Sequence, residues 1–255
     1  MIYKNIVCPV CGAACDDIQV EFGDGKIEAK NACKMGNAKF QEIFSSHRLR
    51  QPLVKVDGKL TPAAWDEALE IAADILVSAK RPLLFMGSET SCEAHEVGLK
   101  IGEYLGAIVD SNATICHGPT AMGIQESGKV GATEGQKKNR GDLIVYWGTN
   151  PLESMPRQMS RYAVFPRGYW TKRGRFDRTV ITVDPRKTPT AEASDLHVQL
   201  KPNSDYELIS ALLTLLHGKT PHPSVEEITG VPICVMEEML DMMKNCNFGA
   251  ISVGL

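Results

Sequence analysis

The sequence predicts an α/β protein in which a small cysteine-bearing subdomain precedes layers of parallel strand and helix. Three observations carry this reading. Cys8, Cys11, Cys15 and Cys33 crowd into the start of the chain. From about residue 51, short apolar runs alternate with segments whose apolar residues recur at helical spacing. Two of the runs end in polar turns, Gly148-Thr149-Asn150-Pro151 and Asp184-Pro185-Arg186-Lys187-Thr188. In parallel sheets such turns are where ligands bind.

Taken in order, residues 17–22 and 26–29 read as a hairpin, because Gly23-Asp24-Gly25 is a strong turn signal. Thr61 before Pro62 reads as the N-cap and first residue of a helix. Trp65, Ala68, Leu69, Ala72, Ile75 and Leu76 continue it at helical spacing. Leu83, Leu84, Phe85 and Met86 form a short strand after Pro82, closed by Gly87. Residues 93–105 read as the next helix and 107–110 as the next strand. Residues 143–147 and 179–183 are two more apolar strands. Ser204 with Glu207, and Ser224 with Glu227, have capping-box spacing and open two helices. Val235, Met236, Met239, Leu240 and Met243 mark an amphipathic helix whose methionines fill core space. Residues 248–253 read as a last apolar strand, with Gly254 and Leu255 directly after it.

The expected organisation is therefore a cysteine subdomain over 1–50, a first α/β segment over 51–115 and an α/β dinucleotide-binding domain over 116–230. Residues 231–255 are expected to begin a return to the first α/β segment, completed by another chain. An apolar strand at a chain terminus exposes unpaired backbone groups and calls for a partner.

Composition excludes several classes. The 255 residues are 43% hydrophobic and 23% charged, with a net charge of −3. That is ordinary for a globular domain and carries no overall field toward nucleic acid. No apolar run approaches the ~18 residues of a membrane span. Residues 1–7 contain no apolar signal segment. The expected location is the cytoplasm, where clustered cysteines bind metal more often than they form disulfides.

The chemistry concentrates in four places. Cys8-x2-Cys11-x3-Cys15 plus Cys33 can surround one metal centre. Structural zinc usually pairs two knuckles, whereas three ligands from one loop and a fourth from afar suit a 4Fe–4S cluster better; both remain open on spacing. Cys116-His117 places a thiol beside an imidazole, a metal ligand with a neighbouring proton carrier. Gly148 lets backbone approach a ligand, and Asp184 is placed to bind a ribose hydroxyl or a guanine edge. Between residues 157 and 187 stand nine Lys or Arg against two acids, a solvated face, a partner surface or a cradle for phosphate. Cys92, Cys234 and Cys246 are isolated and read as plain thiols.

Together the cysteine loop, the GTNP strand end and VDPRKTPTAEASD resemble, in order, the molybdopterin oxidoreductases related to formate dehydrogenase. VCPVCGAACDD, NACKMGNAKF, TICHGPT, VYWGTNP and RGRFDRTVITVDPRKT resemble more narrowly the B subunits of formylmethanofuran dehydrogenases. The resemblance implies a Rossmann-like fold, incomplete at its C-terminus. It implies a 4Fe–4S cluster on Cys8, Cys11, Cys15 and Cys33, and Cys116 as ligand to tungsten or molybdenum. It implies His117 in proton handling and Lys34 between cluster and pterin. Gly148, Asn150, Asp184, Arg186 and Thr188 would line one of two molybdopterin guanine dinucleotides.

The implied reaction is two-electron reduction of CO2 to formate, the first step of methanogenesis. The implied partners are an amidohydrolase-like subunit, a pterin-binding C-terminal-domain subunit, polyferredoxin-type electron donors and a chain supplying the second catalytic half. The competing readings are a piece of a formate dehydrogenase or another pterin oxidoreductase, and an electron-transfer module without the metal–pterin. A zinc-stabilised binding protein is a third.

Overall fold

The computed structural model describes residues 1–87 and 90–254. Its strands are β1 (Ile2–Ile6), β2 (Ile18–Gly23), β3 (Lys26–Lys30), β4 (Leu53–Val56), β5 (Lys59–Pro62), β6 (Leu83–Met86), β7 (Ile108–Ser111), β8 (Leu143–Trp147), β9 (Thr179–Val183), β10 (Leu196–Val198) and β11 (Gly249–Val253). Two compact units result, one from residues 1–43 with 130–255, the other from 44–129. The first 43 residues thus group with the later α/β segment. Met155 and Tyr162 of that segment pack on the cysteine subdomain's core of Cys8, Ala13, Cys15, Ile18 and Ala29.

The larger unit is built on a parallel sheet in the order β10-β9-β8-β11. Its strands read as continuous apolar runs because both faces are covered. Leu143, Val145, Trp147, Ile181 and Val183 pack with the helices Asp205–Leu216, Ser224–Thr229 and Ile233–Lys244. The alternate residues Ile144, Tyr146 and Val180 face Met159, Ala163 and Val164. An antiparallel sheet, β1-β2-β3, carries the cysteine loop. The expected hairpin is there, turned by Asp24 and Gly25 at φ 50° and 71°.

The smaller unit holds the β4–β5 hairpin, the parallel pair β6–β7 and the helices Trp65–Ser78, Cys92–Leu105, Ala113–Cys116 and Gly118–Ser127. Cys92–Leu105 is capped by Ser91, whose hydroxyl accepts from the Ala94 amide, and ends at Gly106 in the left-handed region. A Cβ at Gly102 would stand 2.5 Å from Val109, so glycine is what lets this helix close on β7.

Four expectations need correction. Thr61 and Pro62 end β5 instead of opening a helix; the helix starts at Trp65 after Ala64, without a side-chain cap. Asp57 and Gly58 turn the chain so that Leu53 pairs with Pro62, and this hairpin overrides the local N-cap signal. Neither proposed capping box forms. Ser204 Oγ instead donates to the Lys201 carbonyl, and Ser224 sits inside its helix bonded to His222. Strand β11 does not return to the first α/β segment; it pairs in register with β8, Ile251 opposite Val145. Leu255 lies outside the described residues.

Asp142 anchors β11 beside β8. Its carboxylate accepts from the amides of Asn247 and Phe248, each at 2.8 Å, and from Asn247 Nδ2 at 2.7 Å. Burial pushes this carboxyl's pKa up, but the donations from Phe248 and Asn247 outweigh it and hold the pKa below the ordinary value. A depressed folded-state pKa gives stability that is present above the unfolded pKa near 4 and lost as pH falls through the folded one. Asp142→Asn is expected to cost about 1–2 kcal/mol at neutral pH. It should also flatten the loss of stability below about pH 4. Urea melts at neutral and acid pH test this; an unchanged acid slope in the variant would count against the anchor.

Candidate functional site

In the larger unit the structure brings two sets of residues together. The first is a cavity lined by Cys8, Cys11, Cys15 and Cys33 together with Arg157. The loop is closed by the Cys8 amide donating to the Cys15 carbonyl at 2.8 Å. Cys33 reaches the site as N-cap of the helix Lys34–Gln41, its sulfur accepting from the Gly36 amide at 3.4 Å. A Cβ at Gly36 would meet Cys8 Sγ at 3.3 Å and Cys33 Sγ at 3.7 Å, so the helix approaches the thiols closely because glycine is there.

All eight cysteines are free thiols. Among the described residues no three His, Cys, Asp or Glu side chains converge on a point that would hold one ion. Four thiols lining one cavity are a donor set that an iron–sulfur cluster or a zinc ion would take. Burial raises the pKa of the Cys15 thiol above its ordinary value, and the nearby Arg157 and Arg161 offset only part of that rise. Lys34 is the first residue of the following helix and is exposed.

The second set is the carboxyl edge of β8 and β9. Trp147 pairs with Val183, and both chains then turn into loops. Gly148 has φ 61°, and its amide donates to the Val183 carbonyl at 2.8 Å. Asp184 is buried and accepts from the Arg186 amide at 2.8 Å. Thr188, also buried, caps the turn Pro189–Glu192 by accepting from the Ala191 amide. Arg186 is exposed beside Lys187.

Sequence reasoning missed Thr190, which joins the two loops. It donates to Asn150 Oδ1 at 2.6 Å and accepts from the Leu152 amide at 3.3 Å. Thr190 follows the expected segment by two residues, but nothing local signals a partner 40 positions away.

The basic run is not one cradle. Arg157 and Arg161 pair with Asp17 and Asp16 of the cysteine subdomain. Arg173 pairs with Asp177, and Arg175 with Asp195. Arg178 is buried and donates to the carbonyls of Gly141, Val164, Pro166 and Lys138 and to Thr171 Oγ1. Arg186 and Lys187 belong to the loop that follows β9. The run thus serves several separate tasks, because most of these cations already have partners within the chain.

Cys116 and His117 lie in the smaller unit. Cys116 ends the turn Ala113–Cys116 and His117 links it to the helix Gly118–Ser127. Both are exposed, and the turn is held by the His117 amide donating to the Ala113 carbonyl at 2.7 Å. Thiol and imidazole are thus presented on the surface of their unit.

The larger unit thus holds both the carboxyl edge of a parallel sheet, where such folds bind ligands, and a four-thiol cavity. Residues 48–217 match the family described as molybdopterin oxidoreductase, and the chain belongs to that family. It is 40% identical over 253 residues to the B subunit of tungsten-containing formylmethanofuran dehydrogenase 2 from Methanocaldococcus jannaschii, covering 98% of this chain and 58% of that one. It is 25% identical to formate dehydrogenase H of Escherichia coli, over 98% of this chain and 41% of that protein. Acetylene hydratase from Pelobacter acetylenicus superposes with a TM-score of 0.76 at 19% identity, over 98% of this chain and 40% of that one, which shows the shared fold. The chain thus spans little more than half the length of the similar B subunit.

Proposed function

We propose that this chain is the N-terminal part of a formylmethanofuran dehydrogenase catalytic subunit, interconverting CO2 and formate at a tungsten or molybdenum bis-pterin centre. The observation that carries it is the convergence of Cys8, Cys11, Cys15 and Cys33 on one cavity, in a chain 40% identical to the B subunit of a tungsten-containing enzyme. When bound, the metal–pterin would exchange two electrons with the one-carbon substrate. Cys116 supplies the soft thiolate ligand that suits such a metal. His117, its neighbour, carries the proton that accompanies electron transfer. Gly148, Asn150, Asp184, Arg186 and Thr188 would hold one guanine dinucleotide arm, with Asp184 the acceptor for its hydroxyl or guanine donors. Cys8, Cys11, Cys15 and Cys33 would hold a 4Fe–4S cluster, which supplies one-electron transfer when bound, and Lys34, the exposed first residue of the helix after Cys33, would be the basic residue between cluster and pterin.

The reading includes further polypeptide. The similar B subunit is longer, and this chain carries one copy of the GTNP and DPRKT pair. An apolar groove along the β11 edge, lined by Trp147, Ile209, Leu213, Leu216, Ile251 and Val253, suits coverage by the rest of the catalytic fold. The proposed assembly adds an amidohydrolase-like subunit, a pterin-binding C-terminal-domain subunit and polyferredoxin-type donors, in the cytoplasm. Among the described residues no helix is long and apolar enough to cross a membrane.

The formate dehydrogenase reading keeps a specific support: the chain is 29% identical over 235 residues to an F420-dependent formate dehydrogenase subunit from Methanococcus maripaludis. The assembled, anaerobically purified enzyme separates the cases. Tungsten or molybdenum, iron and acid-labile sulfide are expected together, with formate formed from CO2 and passed to methanofuran. Formate oxidation without formylation of methanofuran would favour the formate dehydrogenase reading. Stoichiometric zinc without iron or sulfide would overturn the cluster assignment.

A further inference from the structure

We propose that Arg157, clamped by Asp17, is a positioning residue that sets the reduction potential of the group held by the four cysteines. The inference rests on reading those cysteines as iron–sulfur ligands. Arg157 lines the cysteine cavity, and Asp17 does not. Both Nη atoms donate to Asp17, Nη1 to Oδ1 and Nη2 to Oδ2, each at 2.6 Å. Arg161 adds contacts to Asp16 and to Asp17. The bidentate geometry fixes the plane of the Arg157 guanidinium, which a lysine could not do.

Two further observations tie the Arg157 segment to the cluster ligands. Arg157 lines the same cavity as Cys15, which is buried. It follows Met155, whose side chain packs on the cysteine core, and the Pro151–Ser154 turn that Asn150 opens. One short segment therefore connects the strand-end loop of β8 to the thiol cavity.

The consequence is electrostatic. Taking up an electron makes a thiolate-ligated cluster more negative. A fixed cation beside the ligand sulfurs stabilises that reduced form more than the oxidised one, so it raises the potential. The effect is larger where water is excluded, because the local dielectric is low. No bond is made or broken; one electron enters or leaves, and the guanidinium stays protonated throughout.

The test uses the assembled enzyme, titrated potentiometrically with electron paramagnetic resonance as the readout. The relevant signal is the one that disappears in Cys33→Ser. Arg157→Met is expected to weaken reduction at least about tenfold, a shift of about 59 mV to more negative potential for a one-electron couple. Arg157→Lys should shift it part of the way. Lys39→Met, which removes an exposed cation from the helix after Cys33, should leave it in place. Iron and sulfide are counted in each variant. Should Arg157→Met lose its iron, the potential is read in Arg157→Lys, and an unshifted value there overturns the proposal. So does an unshifted, fully loaded Arg157→Met enzyme, or an equal shift in Lys39→Met. Absence of any signal that depends on Cys33 would instead remove the iron–sulfur reading beneath it.

Discussion

Cys116→Ala is expected to abolish both formate oxidation and CO2 reduction in the assembled enzyme, while iron and acid-labile sulfide stay at the level of the unsubstituted protein. The two effects separate because Cys116 is not among the residues that line the four-cysteine cavity. Cys116 is exposed at the end of a four-residue turn. Truncating an exposed side chain without partners changes stability by about ±0.5 kcal/mol or less. Loss of activity in a folded, cluster-loaded protein therefore reports on chemistry rather than folding.

A thiolate is a soft donor, and a serine oxygen in its place is a hard one. Cys116→Ser should accordingly fail to restore turnover. His117→Ala should be milder, lowering kcat about 10²–10⁴-fold, the usual contribution of a positioned acid or base. It should also alter the pH profile of kcat. Most of the activity surviving in Cys116→Ala would refute its assignment as metal ligand.

Arg178→Ala is expected to destabilise the larger unit by about 3–5 kcal/mol, a large part of the stability of an ordinary domain. Arg178 is 5% exposed, and its guanidinium makes five donations to oxygen. Four go to backbone carbonyls, among them Lys138 and Gly141 at the end of the helix Glu134–Arg140. The last carbonyls of a helix have no partner within it, and their dipoles favour a cation. Removing the guanidinium strands those acceptors in a buried place, where each costs roughly 1–3 kcal/mol if nothing replaces the bond. Relaxation and entering water recover part of that sum.

Arg178→Lys should be nearly as damaging, since one ammonium has three donors at a single point and cannot reach all five oxygens. Chemical denaturation of the purified complex, read at the tryptophans, checks both variants. A midpoint within error of the parent protein would mean that the loop over residues 164–171 is held by other contacts.

What could be read along the chain was whatever local pattern decides. The runs 143–147 and 179–183 are strands because alternate residues must be buried on both faces, and Ile144 and Val145 are both fully buried. Asp24-Gly25 turns its hairpin because both positions need positive φ. The cysteine spacing brought four thiols to one cavity because a tight loop and a helix start can supply them with little help from elsewhere.

Tertiary structure decided the choice of partner. Thr61-Pro62 has the local form of a helix start, but pairing with Leu53 across the Asp57-Gly58 turn satisfies more backbone groups. Strand β11 could be recognised as a strand, whereas its place beside β8 depends on Asp142, which lies 105 positions before Asn247. Thr190 joins the two strand-end loops, and Arg178 leaves the basic run to fill a nest of carbonyls, only once the sheet has brought those oxygens together. Apolar periodicity says which residues are buried. It does not say which polar groups burial leaves unsatisfied, and those determine where each hydroxyl and guanidinium goes.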